Sequence, residues 1–269
     1  MIRALLLGAT GRMGHAIIRA AAQFPDIAIT GAVASGASAH LGRDAGELAG
    51  SDALGVAITR DLPAALKDAD VVIDFTSALA TAEHLRACRQ AGKPLLMGST
   101  GHDCAQQDAF KVAACDIALL VAPNTSLGVT LLLELARQAA AALPRDFDVE
   151  ILEAHHRMKV DAPSGTALAL GAAVAGARSQ ELLEVAVVGR NGSAPRRCGD
   201  IGFAVVRGGD LVGEHTVRFA GDGEELTLTH RATDRIIFAR GALKAAAWLA
   251  SRPPGLYSMR DIFIAKTGC

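Results

Sequence analysis

The segment Glu153–Thr166 concentrates side chains that could bind an anion and move protons. Four groups that can carry positive charge stand within a few positions of one another: His155, His156, Arg157 and Lys159. A histidine and a lysine in one site can donate and accept protons, and their charge attracts carboxylates. The segment therefore predicts a site for a small anionic substrate that carries carboxylates.

A helix start follows this cluster directly. Ser164, Gly165 and Thr166 lead into an apolar helical stretch, Ala167–Val174. Either Ser164 or Thr166 could cap the helix, because a hydroxyl oxygen accepts a hydrogen bond from a free backbone N–H of the first turn. The remaining N–H groups of that turn can bind a carboxylate. The helix start and the basic cluster thus predict the same kind of ligand, an anion that carries carboxylates.

Two other interpretations of the cluster stay open at this point. Paired histidines can bind a metal, but adjacent side chains usually diverge and the chain contains no H-x-x-x-H pair, so we predict no metal site. The segment could also be an ordinary solvated basic loop, which its spacing alone does not exclude. A further histidine, His215, lies in a polar, glycine-bearing segment and is interpreted as structural.

A second chemical signal lies near the N-terminus, directly after an apolar strand. Glycines recur with G-x-x-G-x-x-G spacing in the segment Gly8-Ala9-Thr10-Gly11-Arg12-Met13-Gly14. Glycine allows a tight turn and a close approach to a pyrophosphate, and the helix that follows offers its N-terminus to that anion. The glycines alone are a weak signal, but their position between a strand and a helix predicts dinucleotide binding.

The segment that should contact the adenosine ribose lacks its usual carboxylate. Such folds place an acidic residue at the end of the second strand, where this chain has Ser35-Gly36. Without that carboxylate nothing repels a ribose 2′-phosphate, and Arg12 and Arg43 are candidate cations for it. We therefore expect NADPH to bind at least as well as NADH.

Two later loops also follow strands of the same half. Because ligands of open α/β sheets bind at the carboxyl ends of the strands, both loops could line the nicotinamide, although ordinary turn chemistry would explain them too. Their residues are Gly98-Ser99-Thr100 (before Gly101) and Ala122-Pro123-Asn124-Thr125.

The first half of the chain alternates apolar strands with helices, which indicates βαβ units and a parallel sheet. The predicted strands are Ile2–Leu7, Ile27–Val33, Val71–Phe75, Pro94–Met97 and Ile117–Val121. The second half mixes helices with alternating strands and a hairpin around Gly221–Glu224. We predict an α/β fold: an N-terminal Rossmann-type doubly wound parallel sheet and a second α+β domain with a mixed sheet.

Composition narrows the function classes. The 269 residues are 51% hydrophobic, 20% charged and 4% aromatic, with a net charge of −1. These values argue for a well-packed core and against binding to nucleic acid or an anionic membrane. Five cysteines without a C-x-x-C pair suggest reduced thiols, and the N-terminus does not resemble a signal peptide, so we expect a cytoplasmic protein.

At these motifs the chain resembles the 4-hydroxy-tetrahydrodipicolinate reductase family, formerly called dihydrodipicolinate reductase. The family's G-x-x-G-R-M-G stands here as Gly8–Gly14. Its highly specific signature, E-x-H-H-x-x-K-x-D-A-P-S-G-T-A, stands unbroken as Glu153–Ala167. The resemblance covers nearly the whole chain and implies reduction of a cyclic unsaturated dicarboxylate by NADH or NADPH in diaminopimelate and lysine biosynthesis.

The resemblance also assigns roles to residues. It implies His155 as catalytic histidine and Lys159 as proton donor, with substrate contacts at His156, Gly165 and Thr166, beside Ser164. It places the dinucleotide on the three glycine-bearing or strand-end loops described above. It implies a Rossmann domain of residues 1–126 plus 239–269, a substrate-binding and oligomerisation domain of residues 127–238, and a homotetramer.

Alternative functions come from two classes. Another Rossmann reductase is possible, but a semialdehyde dehydrogenase would need a cysteine nucleophile in a catalytic loop, and no cysteine of this chain stands in a recognisable one. A non-catalytic dinucleotide-sensing protein would bind the cofactor without using the segment from His155 to Lys159.

Overall fold

The computed structural model describes residues 1–193 and 195–264. The described residues form strands numbered here in chain order: β1 Ile2–Leu7, β2 Ile27–Val33, β3 Ile58–Thr59, β4 Val71–Asp74, β5 Leu95–Met97, β6 Ala118–Val121, β7 Asp148–His155, β8 Ala186–Val188, β9 Ile201–Arg207, β10 Gly213–Gly221, β11 Glu224–Ala232 and β12 Gly255–Tyr257.

The helices are likewise numbered in chain order, and a short 3₁₀ turn covers Ala78–Ala80. They are α1 Arg12–Ala21, α2 Ala45–Ala49, α3 Leu62–Leu66, α4 Thr81–Ala91, α5 Cys104–Ala113, α6 Leu127–Ala142, α7 Gly165–Ala177, α8 Leu182–Val185, α9 Ile236–Leu249 and α10 Asp261–Ile264. Over the described stretches, no helix is both long enough and apolar enough to cross a bilayer.

The chain divides by packing into two compact units. The first unit contains Met1–Leu127 and the segment from Ile236 onward, and the second contains Gly128–Arg235. Each unit has its own sheet; the first has an apolar core on each face of its sheet, and the second has one core. The end of the predicted first domain, residues 265–269 with Cys269, lies outside the described residues.

The first unit is built on a parallel seven-stranded sheet with the order β12-β6-β5-β4-β1-β2-β3, which is the Rossmann order with one strand added at an edge. Side chains of β1 alternate between two cores, because helices cover both faces of such a sheet. Leu6 packs into the core that contains α9, whereas Leu5 packs into the core that contains Leu85 of α4.

The second unit is built on a mixed five-stranded sheet with the order β11-β10-β7-β9-β8. Strands β7, β8 and β9 are parallel, and β10 runs antiparallel to both of its neighbours. Val149 and Ile151 of β7 face a core formed with α6 and α7, whereas Leu152 is exposed on the opposite face. One face of the sheet is therefore apolar and covered, and the other is open.

The predicted fold class is confirmed. The five predicted strands of the first half end within one residue of the observed ones. The strand β3 was not predicted, because two residues are too few to show a pattern. The strand β12 was not predicted either, because its three residues begin with a glycine and do not form an apolar run like that of β5. Strand β7 extends to His155, and α7 begins at Gly165 instead of Ala167. His155 thus belongs to the sheet and not to the loop.

Candidate active site

The basic cluster begins on the core face of the second unit's sheet. Successive side chains of a strand point to opposite faces, so Glu153 and His155 share a face with the buried Ile151. Ile151 is the last apolar side chain on this face of β7, and the next two side chains on the face, Glu153 and His155, are ionisable. Both are buried, with 2% of Glu153 and 9% of His155 exposed.

Glu153 is the centre of the cluster. One carboxylate oxygen, Oε2, lies 2.6 Å from Nδ1 of His155 and accepts a hydrogen bond from Nη1 of Arg207 at 2.7 Å. The other, Oε1, accepts from Nη2 of Arg207 at 2.7 Å and from the backbone N–H of Ser164 at 2.9 Å. Burial raises the pKa of Glu153, but these donors outweigh it and the pKa is lowered. The carboxylate is therefore ionised.

The ionised carboxylate fixes the state of His155. Because a carboxylate only accepts, Nδ1 of His155 must carry the proton of that hydrogen bond. Burial lowers the pKa of His155, against the opposing effect of Glu153, so the ring is neutral near pH 7. Its lone pair is then on Nε2, where a Cβ on Gly213 would lie only 3.0 Å away. A side chain at position 213 would crowd that nitrogen, and glycine avoids this.

Lys159 forms an ion pair two residues further along its own loop. Its Nζ donates to both carboxylate oxygens of Asp161 at 2.8 Å, and the hydrogen bond from Lys159 is the main reason that the pKa of Asp161 is lowered. Arg207 also donates to the backbone carbonyl of Asp161 at 2.6 Å. The arginine thus connects the Lys159 loop to Glu153.

Ser164 caps helix α7, which decides between the two predicted capping residues. Its Oγ accepts a hydrogen bond from the N–H of Ala167 at 3.2 Å and lies 3.1 Å from Nε2 of His215. The helix starts at the exposed Gly165, so the positive end of the helix dipole is directed to this side of the cluster. Thr166, the next residue, is partly buried, as is His156.

His215 is part of the cluster and not only of the core. Its ring centre lies 5.0 Å from that of His155, in an edge-to-face arrangement. Burial, and then the nearby His155, lower the pKa of His215 to about 4. It therefore stays neutral and packs against His155 without adding charge. The prediction of a purely structural histidine missed this contact, which depends on the β7–β10 pairing.

The glycine loop of the first unit forms a tight turn between β1 and α1. Gly8 has φ +83°, and a Cβ on it would lie 2.9 Å from the carbonyl oxygen of Phe75. A Cβ on Gly14 would lie 2.3 Å from the carbonyl oxygen of Gly8. The N-cap of α1 is Gly11, which offers no side-chain cap, so first-turn N–H groups of this helix are available to bind an anion.

The other loop residues predicted at the cofactor follow β5 and β6, at the same edge of the sheet as the glycine loop. Ser99 is buried, and its Oγ lies 3.1 Å from Nε2 of His102. Thr125 is buried and donates to the carbonyl of Phe238 at 2.7 Å. Both side chains hold loops in place. Thr100 and Pro123 are exposed, whereas Gly98 and Ala122 are buried and Asn124 is half-buried.

A cavity of about 460 Å³ opens beside the glycine loop. It is lined by Gly8 and by the segment Val33–Gly36, as expected for a nucleotide site after β1 and β2. The sequence did not reveal two further features of its wall. One is the pair formed by His84 Nδ1 and the buried Asp74 at 2.7 Å, and the other is Arg60.

Within the described residues, no group of three or more histidine, cysteine or acidic side chains could hold a metal. Four described cysteines are free thiols: Cys88, Cys104, Cys115 and Cys198. Cys88 is buried, and burial raises its pKa, which disfavours the reactive thiolate. None of the four contributes to the two regions described above.

Comparison with known proteins identifies both halves of the chain. Residues 2–125 match the family model for the N-terminus of dihydrodipicolinate reductase, and residues 128–263 match the model for its C-terminus. The chain is 48% identical to the 4-hydroxy-tetrahydrodipicolinate reductase of Nitrosomonas europaea, over 95% of each chain. It is 51% identical to that of Alkalilimnicola ehrlichii, over 97% of this chain and 98% of the relative.

A solved structure has the same fold over nearly the full length. It is a dipicolinate-bound dihydrodipicolinate reductase from Paenisporosarcina sp. TG-14, with a TM-score of 0.77 and 25% identity, covering 97% of this chain and 99% of that one. An amine dehydrogenase from Mycobacterium smegmatis, at 15% identity and a TM-score of 0.58, shares the fold alone. The family models for both halves, the named relatives and the shared fold all indicate one family. The chain belongs to the dihydrodipicolinate reductase family.

Proposed function

We propose that this protein reduces 4-hydroxy-tetrahydrodipicolinate to tetrahydrodipicolinate with NADPH or NADH, in diaminopimelate and lysine biosynthesis, and that the 4-hydroxyl group leaves as water before the hydride arrives. The names of its relatives support the reaction, and the dipicolinate bound to the Paenisporosarcina neighbour supports a cyclic dicarboxylate ligand. The observation that carries the proposal is the buried Glu153, which holds His155 at 2.6 Å beside the loop of Lys159 and the start of α7.

The first unit, with residues 1–126 and 239–269 as its proposed extent, binds the dinucleotide. The glycine loop from Gly8 to Met13 holds the pyrophosphate with backbone N–H groups at the start of α1. The loops Gly98–Thr100 and Ala122–Thr125, at the same edge of the sheet, contact the nicotinamide part. When bound, the reduced nicotinamide supplies a hydride.

The second unit, residues 127–238, binds the substrate. His156 and the first turn of α7 at Gly165 and Thr166 bind the two carboxylates, because that turn carries the positive end of the helix dipole. Ser164 shapes this turn, since its Oγ is used to cap it. A dicarboxylate is thus held without using the guanidinium of Arg207, which is occupied by Glu153.

Lys159 donates the proton. Its Nζ donates a hydrogen bond of 2.8 Å to each carboxylate oxygen of Asp161, which positions the amino group on this loop. Substrate carboxylates compete with Asp161 for the ammonium, which then stands ready to protonate the carbon that becomes electron-rich after hydride arrival. His155, neutral and with its lone pair on Nε2, accepts and returns protons, and Glu153 stabilises its transient charge.

We further propose a cytoplasmic homotetramer. The open face of the second unit's sheet carries exposed apolar side chains, Leu152 and Val206, that a partner sheet would cover. Light scattering after gel filtration should give four times the chain mass of 27.7 kDa. The substitution Val206→Glu should lower that mass. A wild-type protein with the mass of one chain would contradict the tetramer.

A coupled assay tests the reaction. The pathway's synthase makes the substrate in place from pyruvate and aspartate semialdehyde, and nicotinamide absorbance is followed with NADPH and NADH separately. Oxidation should require both the synthase and this protein. Tight nucleotide binding without any turnover by folded protein would favour a dinucleotide-sensing role instead.

A further inference from the structure

The cavity beside the glycine loop contains an arginine that comes from outside the segments that usually bind a dinucleotide. The wall is formed by the glycine loop, the end of β2 and the segment after β4, and Arg60 joins them. Arg60 follows the two-residue strand β3. It stands next to Ser35-Gly36, where the usual ribose-binding carboxylate is missing.

Sheet pairing brings Arg60 to this position. Strand β3 runs parallel to β2, with Val33 opposite Thr59, and the N–H of Ala34 donates to the carbonyl of Thr59 at 3.0 Å. The carboxyl ends of both strands therefore meet at one edge. The Cδ of Arg60 lies 3.7 Å from where a Cβ on Gly36 would be, so its aliphatic part runs along the turn after β2.

The guanidinium of Arg60 has neither an ion pair nor a hydrogen bond to any other residue in the described ranges. Two other residues on the cavity wall can carry charge: Glu83, which is of opposite sign to Arg60, and His84, which is paired with Asp74. Leu79, 96% exposed on the same wall, gives the rim an apolar surface suited to a planar base.

We propose that Arg60 binds the ribose 2′-phosphate of NADPH and sets the preference of this enzyme for the phosphorylated cofactor. The inference rests on the proposed function, since it assumes that the dinucleotide occupies this cavity. A planar guanidinium binds phosphate oxygens through two parallel hydrogen bonds. The previously suggested cations, Arg12 and Arg43, do not line the cavity. Glu83 acts against Arg60 by repelling the phosphate.

Calorimetry with nucleotide fragments tests this directly. The dissociation constants of adenosine 2′,5′-bisphosphate and of 5′-AMP are measured for wild type, Arg60→Gln, Glu83→Gln and the control Arg43→Gln. Arg60→Gln should weaken the bisphosphate about tenfold, because one charge-assisted contact is lost, and leave 5′-AMP within about twofold. Glu83→Gln should tighten the bisphosphate selectively. Arg43→Gln should change neither fragment.

Failure of the Arg60 assignment and failure of the proposed function would give different results. Equal effects of Arg60→Gln on both fragments, or none on either, would overturn the assignment of Arg60 while the coupled assay still shows turnover. Wild-type protein that binds neither fragment and shows no turnover would instead remove the proposed function itself. A shift of the NADPH-to-NADH ratio of kcat/KM toward NADH in Arg60→Gln would support the assignment independently.

Discussion

The two regions to which we assign function are built from different parts of the chain. The glycine loop offers backbone N–H groups, and its glycines stand where a Cβ would meet a carbonyl oxygen, as at Gly14. The Glu153 cluster offers side chains, and each charge depends on a partner, as His155 depends on Glu153. Cofactor binding at the glycine loop should therefore be sensitive to added side-chain volume. Turnover at the Glu153 cluster should be sensitive to the loss of a charge and to pH.

The largest effect should follow loss of the two proposed proton-transfer groups. His155→Ala and Lys159→Ala should each lower kcat by about 10²–10⁴-fold, the usual contribution of a positioned acid or base, while the NADPH dissociation constant stays within about twofold. Met158→Ala, at a residue 77% exposed in the same loop, is the matched control. Near-normal turnover in both variants would refute the assigned roles.

Removing only the charge of Glu153 should be nearly as damaging. In Glu153→Gln the amide can donate to Nδ1 of His155, which moves the ring proton to Nε2 and removes the accepting lone pair. We expect kcat to fall by about 10²-fold or more and its pH profile to shift. Glu150→Gln, on the open face of the same strand, is the control. An unchanged pH profile would show that Glu153 only supports the fold.

Added volume should damage the other region. In Gly14→Ala the new Cβ would lie 2.3 Å from the carbonyl oxygen of Gly8, and such overpacking costs about 1–3 kcal/mol. NADPH binding should weaken by at least about tenfold. Gly176→Ala, on an exposed turn of α7 with open space around it, should raise stability by about 0.5–1 kcal/mol. Equal NADPH affinity in wild type and Gly14→Ala would contradict the close approach.

The smallest effect concerns stability at low pH. Folding lowers the pKa of His215 from 6.5 to about 4, so the unfolded chain binds more protons between these values. His215 thus stabilises the fold fully above about pH 6.5, and this contribution is lost progressively as the pH falls toward 4. His215→Gln should flatten the decline of the thermal midpoint between pH 7 and 4. Parallel declines in wild type and His215→Gln would contradict this account.

The sequence was sufficient to predict those elements and site residues that a local pattern of residues encodes. Apolar runs predicted β1 and β2 to the residue, and the motif from Glu153 identified the cluster. Contacts made by distant pairing were missed. The bond between Glu153 and Arg207 spans 54 residues and requires β7 and β9 to be neighbours. The sequence also did not place Arg60 at the cavity. This placement depends on the pairing of β3 with β2, and β3 is too short to recognise from a pattern.

The central claim, hydride from the cofactor and a proton from the Glu153 cluster, is tested most directly by isotope labelling. NADPH deuterated at the transferred position is supplied with synthase-made substrate, and the product is analysed by mass spectrometry, in ordinary water and in D₂O. We predict one carbon-bound deuterium, from the cofactor, in product made in ordinary water, and at least one more in product made in D₂O. A product formed without deuterium from the cofactor would contradict the account.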